Sequence, residues 1–512
     1  MNAILSLTPI LLLLICLLVI KMDTGKAGAL ALLLSIIIAI FSFGLNIEGM
    51  IISMSKGMSL ALYVLLIIWA AVFLYHLVYE FRAIEVINKN IIRFIKEPFV
   101  QFLLLSWLFS SVLQGIAGFG VPVVIVVPIL VSLGFNPLIS AVAVLLGHSW
   151  SVSFGSMGSS FFTIFLVTNL PQQSIGYAMG IFDSLAMFMM GLSVCYLYGG
   201  LKYVKKGLIY VIPTTFVMIV VMFSILFLNM LSLVGLLTAL SGLITMFIIY
   251  TIKEKPGLPE NLYEEKLTLT GAILPYASII GLSLLFQILD LDKYYIAFKF
   301  PSFTTKLGYM VAQENAYAKI KLFGHPAPII LLSVVAGIII YIRSGIWSKE
   351  KFHIVIIKTI SKCISTSISL IFLITMALIM MDSGMTQELA QSVSEITGRF
   401  YPIFAPLFGI LGSFITGSNT NSNVIFGKFQ ISVAEVLGVN QYIMAGLQSI
   451  SGSIGVSLGP TTILMASSAS GLTGQESQIY KKAIKMVLIT AMLMGLLNYL
   501  LLMVFKINIG GI

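Results

Sequence analysis

The chain has 512 residues, of which 59% are hydrophobic and only 9% carry a charge, and its mean hydropathy is +1.07. Too few side chains are polar to cover the surface of a water-soluble globule of this size. The composition therefore excludes a soluble protein. Apolar runs repeatedly reach the roughly 20 residues that a spanning helix needs, whereas an outer-membrane barrel shows alternating segments of about 10 residues. We therefore predict an all-α polytopic protein of the cell (plasma or inner) membrane, with about 12 or more transmembrane segments plus broken or re-entrant helices.

The net charge of +10 does not indicate a nucleic-acid partner, because Lys and Arg are dispersed among the predicted helix ends. Basic clusters near residues 21–26, 82–96, 202–206, 253–255, 349–362 and 481–485 predict the cytoplasmic side. Parity then places the turns near residues 47, 229 and 382–395 outside. Residues 290–323 are an exception, because they fall outside by parity although they are basic, and Asp290, Asp292 and Glu314 offset this only partly.

In chain order, the apolar runs predict spanning helices on either side of two glycine-rich regions. They cover residues 3–20, 27–45, 58–79, 208–228, 233–252, 271–289, 326–346, 363–381 and 486–505. The predicted units are N-terminal scaffold helices (1–98), a first motif region (99–200), central helices (201–401), a second motif region (402–480) and a C-terminal helix (481–512).

The two motif regions resemble each other. Leu133, Gly134 and Asn136 match residues 304 positions later (437 − 133), and Gly115 matches Gly417, 302 positions later (417 − 115). A chance match of small residues is the alternative. The first region is entered from the cytoplasmic side and the second from outside, which predicts an inverted-topology repeat with substrate bound between the repeats.

Helix-breaking and polar residues within these regions predict the substrate site. Glycines that interrupt a helix can free backbone groups to line a cavity, although close helix packing is an alternative for some of them. Six adjacent hydrogen-bonding side chains in an apolar region are costly unless they contact water, an ion or a polar substrate. The predicted substrate-binding residues are Gln114, Gly115, Gly118, Gly120, Ser418, Asn419, Thr420, Asn421, Ser422 and Asn423.

Three ionisable residues accompany these motifs. His148 and Asp183 are candidates for proton coupling, with a structural hydrogen bond as the alternative for His148. Lys428 is a possible contact for an anion, or it forms an ion pair with Glu435 two helical turns away. His325 and His353 fall at predicted loops and are expected to be solvated.

No enzyme is predicted. The motifs contain neither a nucleophile with a base nor a metal-ligand cluster, so we expect no catalytic residue, no metal and no cofactor other than a coupling ion. The three cysteines lie far apart and imply no disulfide. A nucleotide-binding loop is absent, which disfavours ATP-driven pumping. A passive channel would not need two inverted motifs.

Several segments, in the same order, resemble the signature segments of the L-lactate permease family. They read LQGIAGFGVPV, LVSLGFNPL, FGSMG, FITGSNTNSNVIF and SGLTGQES. The resemblance implies proton-coupled uptake of L-lactate, glycolate or D-lactate by an inner-membrane carrier built from a scaffold and a moving transport part with re-entrant hairpins. Oligomeric state is not implied.

The chain departs from the family pattern at buried carboxylates. Many members have Glu where Gln114 stands and Asp where Asn419 stands, and they have Asn-Thr-Ala-Pro where this chain has Gly147-His148-Ser149-Trp150. An amide keeps hydrogen bonds but cannot carry a proton, which leaves His148 or Asp183 for proton symport. The alternative is a carrier of another small organic anion, coupled to Na⁺ through oxygens of residues 416–423 or driven otherwise.

Overall fold

Helices form most of the chain. The computed structural model describes residues 2–116, 118, 120–254, 266–289 and 293–507. Asp290 and Asp292, named above, lie outside the described residues. The first twelve helices are α1 Asn2–Leu14, α2 Thr24–Ser42, α3 Ile47–Glu80, α4 Ala83–Phe94, α5 Pro98–Leu103, α6 Ser110–Ile116, α7 Val121–Ser132, α8 Pro137–Gly147, α9 Gly155–Thr168, α10 Gln172–Phe227, α11 Val234–Glu254 and α12 Leu269–Ile288.

A small β-structure separates these helices from eight more. Its strands are β1 Tyr295–Phe300, β2 Phe303–Thr304, β3 Met310–Val311 and β4 Glu314–Lys321, and the helices that follow are α13 Pro326–Arg343, α14 Lys349–Asp382, α15 Met385–Thr397, α16 Tyr401–Thr416, α17 Asn419–Leu437, α18 Gln441–Gly455, α19 Pro460–Ala469 and α20 Glu476–Tyr499. The predicted external loop at 382–395 is mostly α15. Turns of π-helix follow α1, join α5 to α6 and extend α20.

This architecture confirms the predicted all-α polytopic class. In the described part of the chain, ten helices are long and apolar enough to cross a membrane, or up to eleven if the bent pair Gln441–Leu458 and Pro460–Ala469 is one span. One of the ten is α10, which non-helical backbone at Gly199 and Gly200 divides into two segments.

The strands form two nested antiparallel pairs, β1 with β4 and β2 with β3. Hydropathy predicted only a loop here, because the short strands carry many charged and polar residues. The β-structure rests on the start of α3, since a Cβ added to Gly49 would lie 2.6 Å from the Phe303 ring. Residues 295–321 are therefore a β-hairpin docked on the helices.

Each motif region contains a helical hairpin. In the second, α16 ends at Gly417 in the left-handed region (φ +66°) and α17 begins at once after its N-cap, Ser418. The two helices run antiparallel, because Ser422 Oγ donates to the Gly409 carbonyl (2.8 Å) near the turn and Gln430 Nε2 donates to the Ala405 carbonyl (2.9 Å) further from it. In the first, α6 and α7 meet around Gly118 and Gly120, the latter at φ +86°.

A broken helix follows each hairpin. Asn136 caps α8 by accepting from Ile139 N (3.1 Å), and Asn440 caps α18 by accepting from Ile443 N (3.0 Å). A 3₁₀ turn and a second short helix come next in both regions, as α9 and α19. The order of hairpin, capped helix, turn and helix therefore recurs.

The helices α3 and α14 precede the two hairpins, and each has 34 residues. Lys56 of α3 pairs with Asp382 of α14 (3.6 Å), and Lys358 of α14 pairs with Glu80 of α3 (2.5 Å). The two lysines and the two acids are each 302 positions apart (358 − 56 and 382 − 80). The helices run antiparallel, and their contacts are reciprocal, as expected for segments related by a two-fold axis across the helices.

Candidate functional site

The polar residues of the second hairpin tip meet the break between α8 and α9. Asn419 Nδ2 donates to Ser153 Oγ (2.9 Å), and Thr420 Oγ1 lies 3.0 Å from Ser160 Oγ. Asn423 Nδ2 donates to the Ser160 carbonyl (3.0 Å). The tip of one motif region is therefore bound to the broken helix of the other.

A second set of bonds joins the two broken helices. Ser153 Oγ donates to the Ser449 carbonyl (2.8 Å), and Ser453 Oγ donates to the Ser149 carbonyl (2.6 Å). Ser149 and Ser453 are 304 positions apart, which is the spacing of the sequence repeat. Two matching positions of the motif regions are therefore in direct contact.

The first hairpin tip approaches the same break. Gly118 N donates to Ser156 Oγ (2.7 Å), and a Cβ added to Gly155 would lie 2.8 Å from the Gln114 carbonyl oxygen. Ser156, Met157 and Gly158 are all in the left-handed region, which interrupts the helix and turns the Ser156 hydroxyl toward this tip. Residues 153–156 thus lie between Gln114 and Asn419.

Two amide oxygens at this junction lack a partner. The Ser153 hydroxyl proton is directed to Ser449, so Ser153 accepts from Asn419 Nδ2, and Asn419 Oδ1 remains without a hydrogen bond among the described residues. Asn423 donates from Nδ2 to two acceptors, and its Oδ1 likewise has no partner in the described part of the chain. Buried acceptors of this kind are costly unless a donor or a cation reaches them.

Not every predicted site residue has the same role. Gly115 packs on α11, where a Cβ would lie 2.8 Å from Leu236 Cα, and Gly120 abuts the side chain of Met465. These two contacts fit the packing alternative. Ser422 bonds within its own hairpin, while Ser418 caps α17 by accepting from Asn421 N (3.4 Å). No hydrogen bond of the Asn421 amide group is seen among the described residues.

Sequence reasoning missed the serines that complete the junction, Ser153, Ser160, Ser449 and Ser453. They stand in VSFGSMGSS and SISGSIG, and their regular recurrence beside glycine was a usable signal. Gln448 was also missed; its amide donates to Ser422 Oγ (3.2 Å) and accepts from Gln430 (3.1 Å). Burial at the junction could not be inferred from any one of these segments alone.

The ionisable candidates lie apart from the tips. His148 is buried at the end of α8, where Nδ1 bonds the Val144 carbonyl. Asp183 is completely buried in α10, and neither carboxylate oxygen has a hydrogen-bond partner among the described residues. The proposed Lys428–Glu435 ion pair does not form, because Glu435 is exposed while Lys428 faces a cavity that contains Asp382.

Asp183 lies near the level of the junction. α9 and α17 run side by side in the same direction, since Ser160 meets Thr420 and Thr168 meets Gly427. α10 and α18 therefore start at the same end, and Gly446 of α18 packs on Ala178 of α10. Five residues further, about 7 Å along each axis, Asp183 reaches the level of Ser451.

His325 is buried, contrary to the expectation that it is solvated. It caps α13 and is 1% exposed, with Nδ1 accepting from Ala327 N (3.2 Å) and Nε2 directed at the Tyr63 carbonyl (3.2 Å). Solvation was expected because His325 stands just before the predicted helix that begins at Pro326. His353 is exposed as predicted.

Two helical hairpins that meet broken helices at a buried polar junction are typical of a membrane permease rather than a simple helical anchor. Comparison with known proteins agrees with this class, since the family model for L-lactate permease matches residues 2–505. The chain belongs to the L-lactate permease family.

Curated relatives cover nearly the whole chain. An L-lactate permease of Streptococcus iniae is 28% identical over 467 residues, covering 87% of this chain and 93% of the relative. The glycolate permease GlcA of Escherichia coli (strain K12) is 27% identical over 544 residues, with 99% and 96% covered. An L-lactate permease of Bacillus subtilis (strain 168) is 25% identical, with 98% and 96% covered.

Proposed function

We propose that this protein is a secondary carrier of small hydroxymonocarboxylates, with L-lactate and glycolate as its substrates. The observation that carries the proposal is the junction of the Asn419 hairpin tip with the Ser153 break, where the buried Asn419 Oδ1 has no hydrogen-bond partner among the described residues. A substrate hydroxyl can donate to this oxygen. The amino end of α17 and its amide donors suit the carboxylate.

Alternating access follows from the repeated architecture. The reciprocal Lys56–Asp382 and Lys358–Glu80 ion pairs and the Ser149–Ser453 contact support an inverted-topology repeat. Two halves related in this way can exchange conformations and so open the junction to either side in turn. This mechanism needs no nucleotide and no catalytic residue.

Proton symport is the proposed coupling. Asp183 is the stronger candidate for the proton, because no described residue donates to it and an ionised carboxylate is far more costly in an apolar interior than the neutral acid. His148 already uses Nδ1 in a bond to Val144, which favours a structural role. Protonation of Asp183 would compensate for the absence of acids at Gln114 and Asn419.

Coupling to Na⁺ instead of a proton has its own supporting observation. Asn419 Oδ1, Asn423 Oδ1 and Ser413 Oγ are buried without hydrogen-bond partners in the described part of the chain. Neutral oxygens are suitable ligands for Na⁺. Sodium coupling is therefore the alternative to be tested beside proton coupling.

The test is counterflow in proteoliposomes with a panel of monocarboxylates, in which the pH gradient and the sodium gradient are varied independently. We expect exchange of L-lactate and glycolate, and accumulation driven by an inward proton gradient. Exchange of neither substrate would contradict the proposed function. Accumulation that follows sodium and ignores pH would replace the proton by Na⁺.

A further inference from the structure

The basic segment that the positive-inside rule does not explain forms a wall of two cavities. Residues 295–321 fold as the β-hairpin on α3, and cavities of about 310 and 200 Å³ lie beneath it. The two cavities share the lining residues Asn169, Glu314 and Tyr317. We therefore treat the two cavities together as one vestibule. Lysines at the mouth of a cavity can attract an anion toward that cavity, which lysines in a loop without a cavity cannot do.

The vestibule carries an excess of positive charge. Its charged lining residues are Lys56, Lys319, Lys321, Lys428, Glu314 and Asp382. Four cations face two anions among the described lining residues. A cleft with walls of low dielectric constant strengthens such a field, which raises the local concentration of small anions.

The cations are not equally available. Lys56 is 3% exposed and held by Asp382, which also accepts from Ser53 Oγ (2.8 Å). Lys428 of α17 is partly buried and makes no hydrogen bond or ion pair with any described residue. A partly buried ammonium group without a bonded anion favours an anionic ligand.

A neutral donor lies in the same cavity as Lys428. Tyr309 lines it, and burial raises the pKa of its phenol, so the group stays protonated and can donate a hydrogen bond. An ammonium and a phenol together suit a carboxylate.

The vestibule also leads toward the junction. Lys428 stands nine residues after Asn419 on α17, which is about 13 Å along the helix axis. α9 runs beside α17 over this length, from Ser160 at the junction to Thr168 at the vestibule. An anion at Lys428 would therefore reach the hairpin tip by moving along α9 and α17.

We propose that the vestibule is an outer binding site for the monocarboxylate substrate, with the Lys428 ammonium as its cationic contact. The proposal rests on the proposed function, since the ligand is the anion to be transported. It assigns Lys428 to capture of the substrate before it reaches Asn419. It also assigns Lys319 to the attraction of anions toward the mouth.

Uptake from the outer side tests the proposal in right-side-out vesicles that contain the full chain. In Lys428→Met, we expect KM for L-lactate to rise about tenfold, as for loss of one charge-assisted hydrogen bond, with kcat little changed. Lys428→Arg should stay within about threefold of the parent, because the charge is kept. Lys306→Met, on an exposed residue of the hairpin outside both cavities, should leave KM unchanged.

Chemical restoration provides the second measurement. Cys16, Cys195 and Cys363 are buried, whereas Lys428→Cys places a thiol on the wall of the vestibule. Modification with an aminoethyl methanethiosulfonate should restore the parental KM, whereas the sulfonatoethyl reagent should not. Saturating L-lactate should slow both reactions.

An unchanged KM in Lys428→Met, or a modification rate that no monocarboxylate alters, would overturn the vestibule site. A parent chain that transports neither L-lactate nor glycolate would instead contradict the proposed function. In that case, protection of the introduced thiol by a panel of monocarboxylates still decides whether the vestibule binds these anions.

Discussion

Amide orientation decides what the hairpin tip can bind. Because Ser153 gives its proton to Ser449, the Asn419 amide must donate to Ser153 and its oxygen is left over. A carboxylate at the same position would instead compete for that proton. The amide in this chain therefore provides one fixed donor and one free acceptor.

Replacing Asn419 by Ala should reduce transport more than stability. The change removes a free acceptor and a bond to Ser153, and loss of one or two substrate contacts should lower kcat/KM for L-lactate by about 10- to 100-fold. The measurement is initial uptake at equal protein abundance in the membrane. Asn315→Ala, an exposed position in the β-hairpin, is the matched control. Parental kinetics in Asn419→Ala would remove the residue from the site.

Replacing Asp183 by Asn tests the proton. The amide keeps the shape of the side chain but cannot release a proton, so we expect counterflow to survive at a reduced rate while accumulation driven by a pH gradient is lost. His148→Gln is the comparison, and it should retain accumulation because its bond to Val144 can be kept by an amide. If His148→Gln loses accumulation and Asp183→Asn retains it, the two roles are reversed.

At the scale of elements, the glycines of the broken helices set how closely the hairpins approach. A Cβ added to Gly452 of α18 would lie 2.2 Å from Asn419 Oδ1, so this glycine lets the hairpin tip reach the junction. Inside a helix, alanine is normally more stable than glycine, so the close contact with Asn419 explains why glycine stands at position 452.

Gly452→Ala should therefore abolish or strongly reduce transport without unfolding the protein. Gly281→Ala in α12, where a Cβ would meet nothing within 4 Å, is the control and should raise stability by about 0.5–1 kcal/mol. Thermal unfolding in detergent and counterflow measure the two effects. Normal counterflow in Gly452→Ala would show that the tip does not depend on this close contact.

The two reciprocal ion pairs of α3 and α14 differ in burial. Lys56 and Asp382 have side chains 4% and 10% exposed, whereas Lys358 and Glu80 have 49% and 15%. Lys56→Met leaves a buried carboxylate unpaired and should destabilise the protein by about 3–5 kcal/mol. Lys358→Met should cost less than about 1 kcal/mol, because water screens the pair. Equal losses in thermal unfolding would contradict this ranking.

For the whole molecule, the distribution of positive charge predicts the orientation in the membrane. Lys306 lies in the β-hairpin placed outside, and Lys202 lies in a basic cluster placed in the cytoplasm. A membrane-impermeant thiol reagent applied to intact cells should label Lys306→Cys and spare Lys202→Cys until the cells are opened. The native cysteines are buried and should give little background. Labelling in the opposite order would invert the topology and place the vestibule inside.

The sequence by itself determined the class of protein and two of the points at which helices are interrupted. These depend on local chemistry, because long apolar runs require a bilayer, and left-handed backbone conformations let Gly417 end α16 and Gly120 stand immediately before α7. The five segments that resemble the signature of the L-lactate permease family also predicted the family, which the family model confirms over residues 2–505.

Only the tertiary structure decided which side chains meet. Ser153 and Asn419 are 266 positions apart, and Lys56 and Asp382 are even more widely separated, so no local pattern could pair them. Lys428 shows the limit most directly: its spacing from Glu435 fits one helix face, yet packing turns it toward Asp382 and the vestibule. Local sequence fixes where a helix bends, whereas contacts between distant segments depend on how the helices pack together, which is a property of the whole chain.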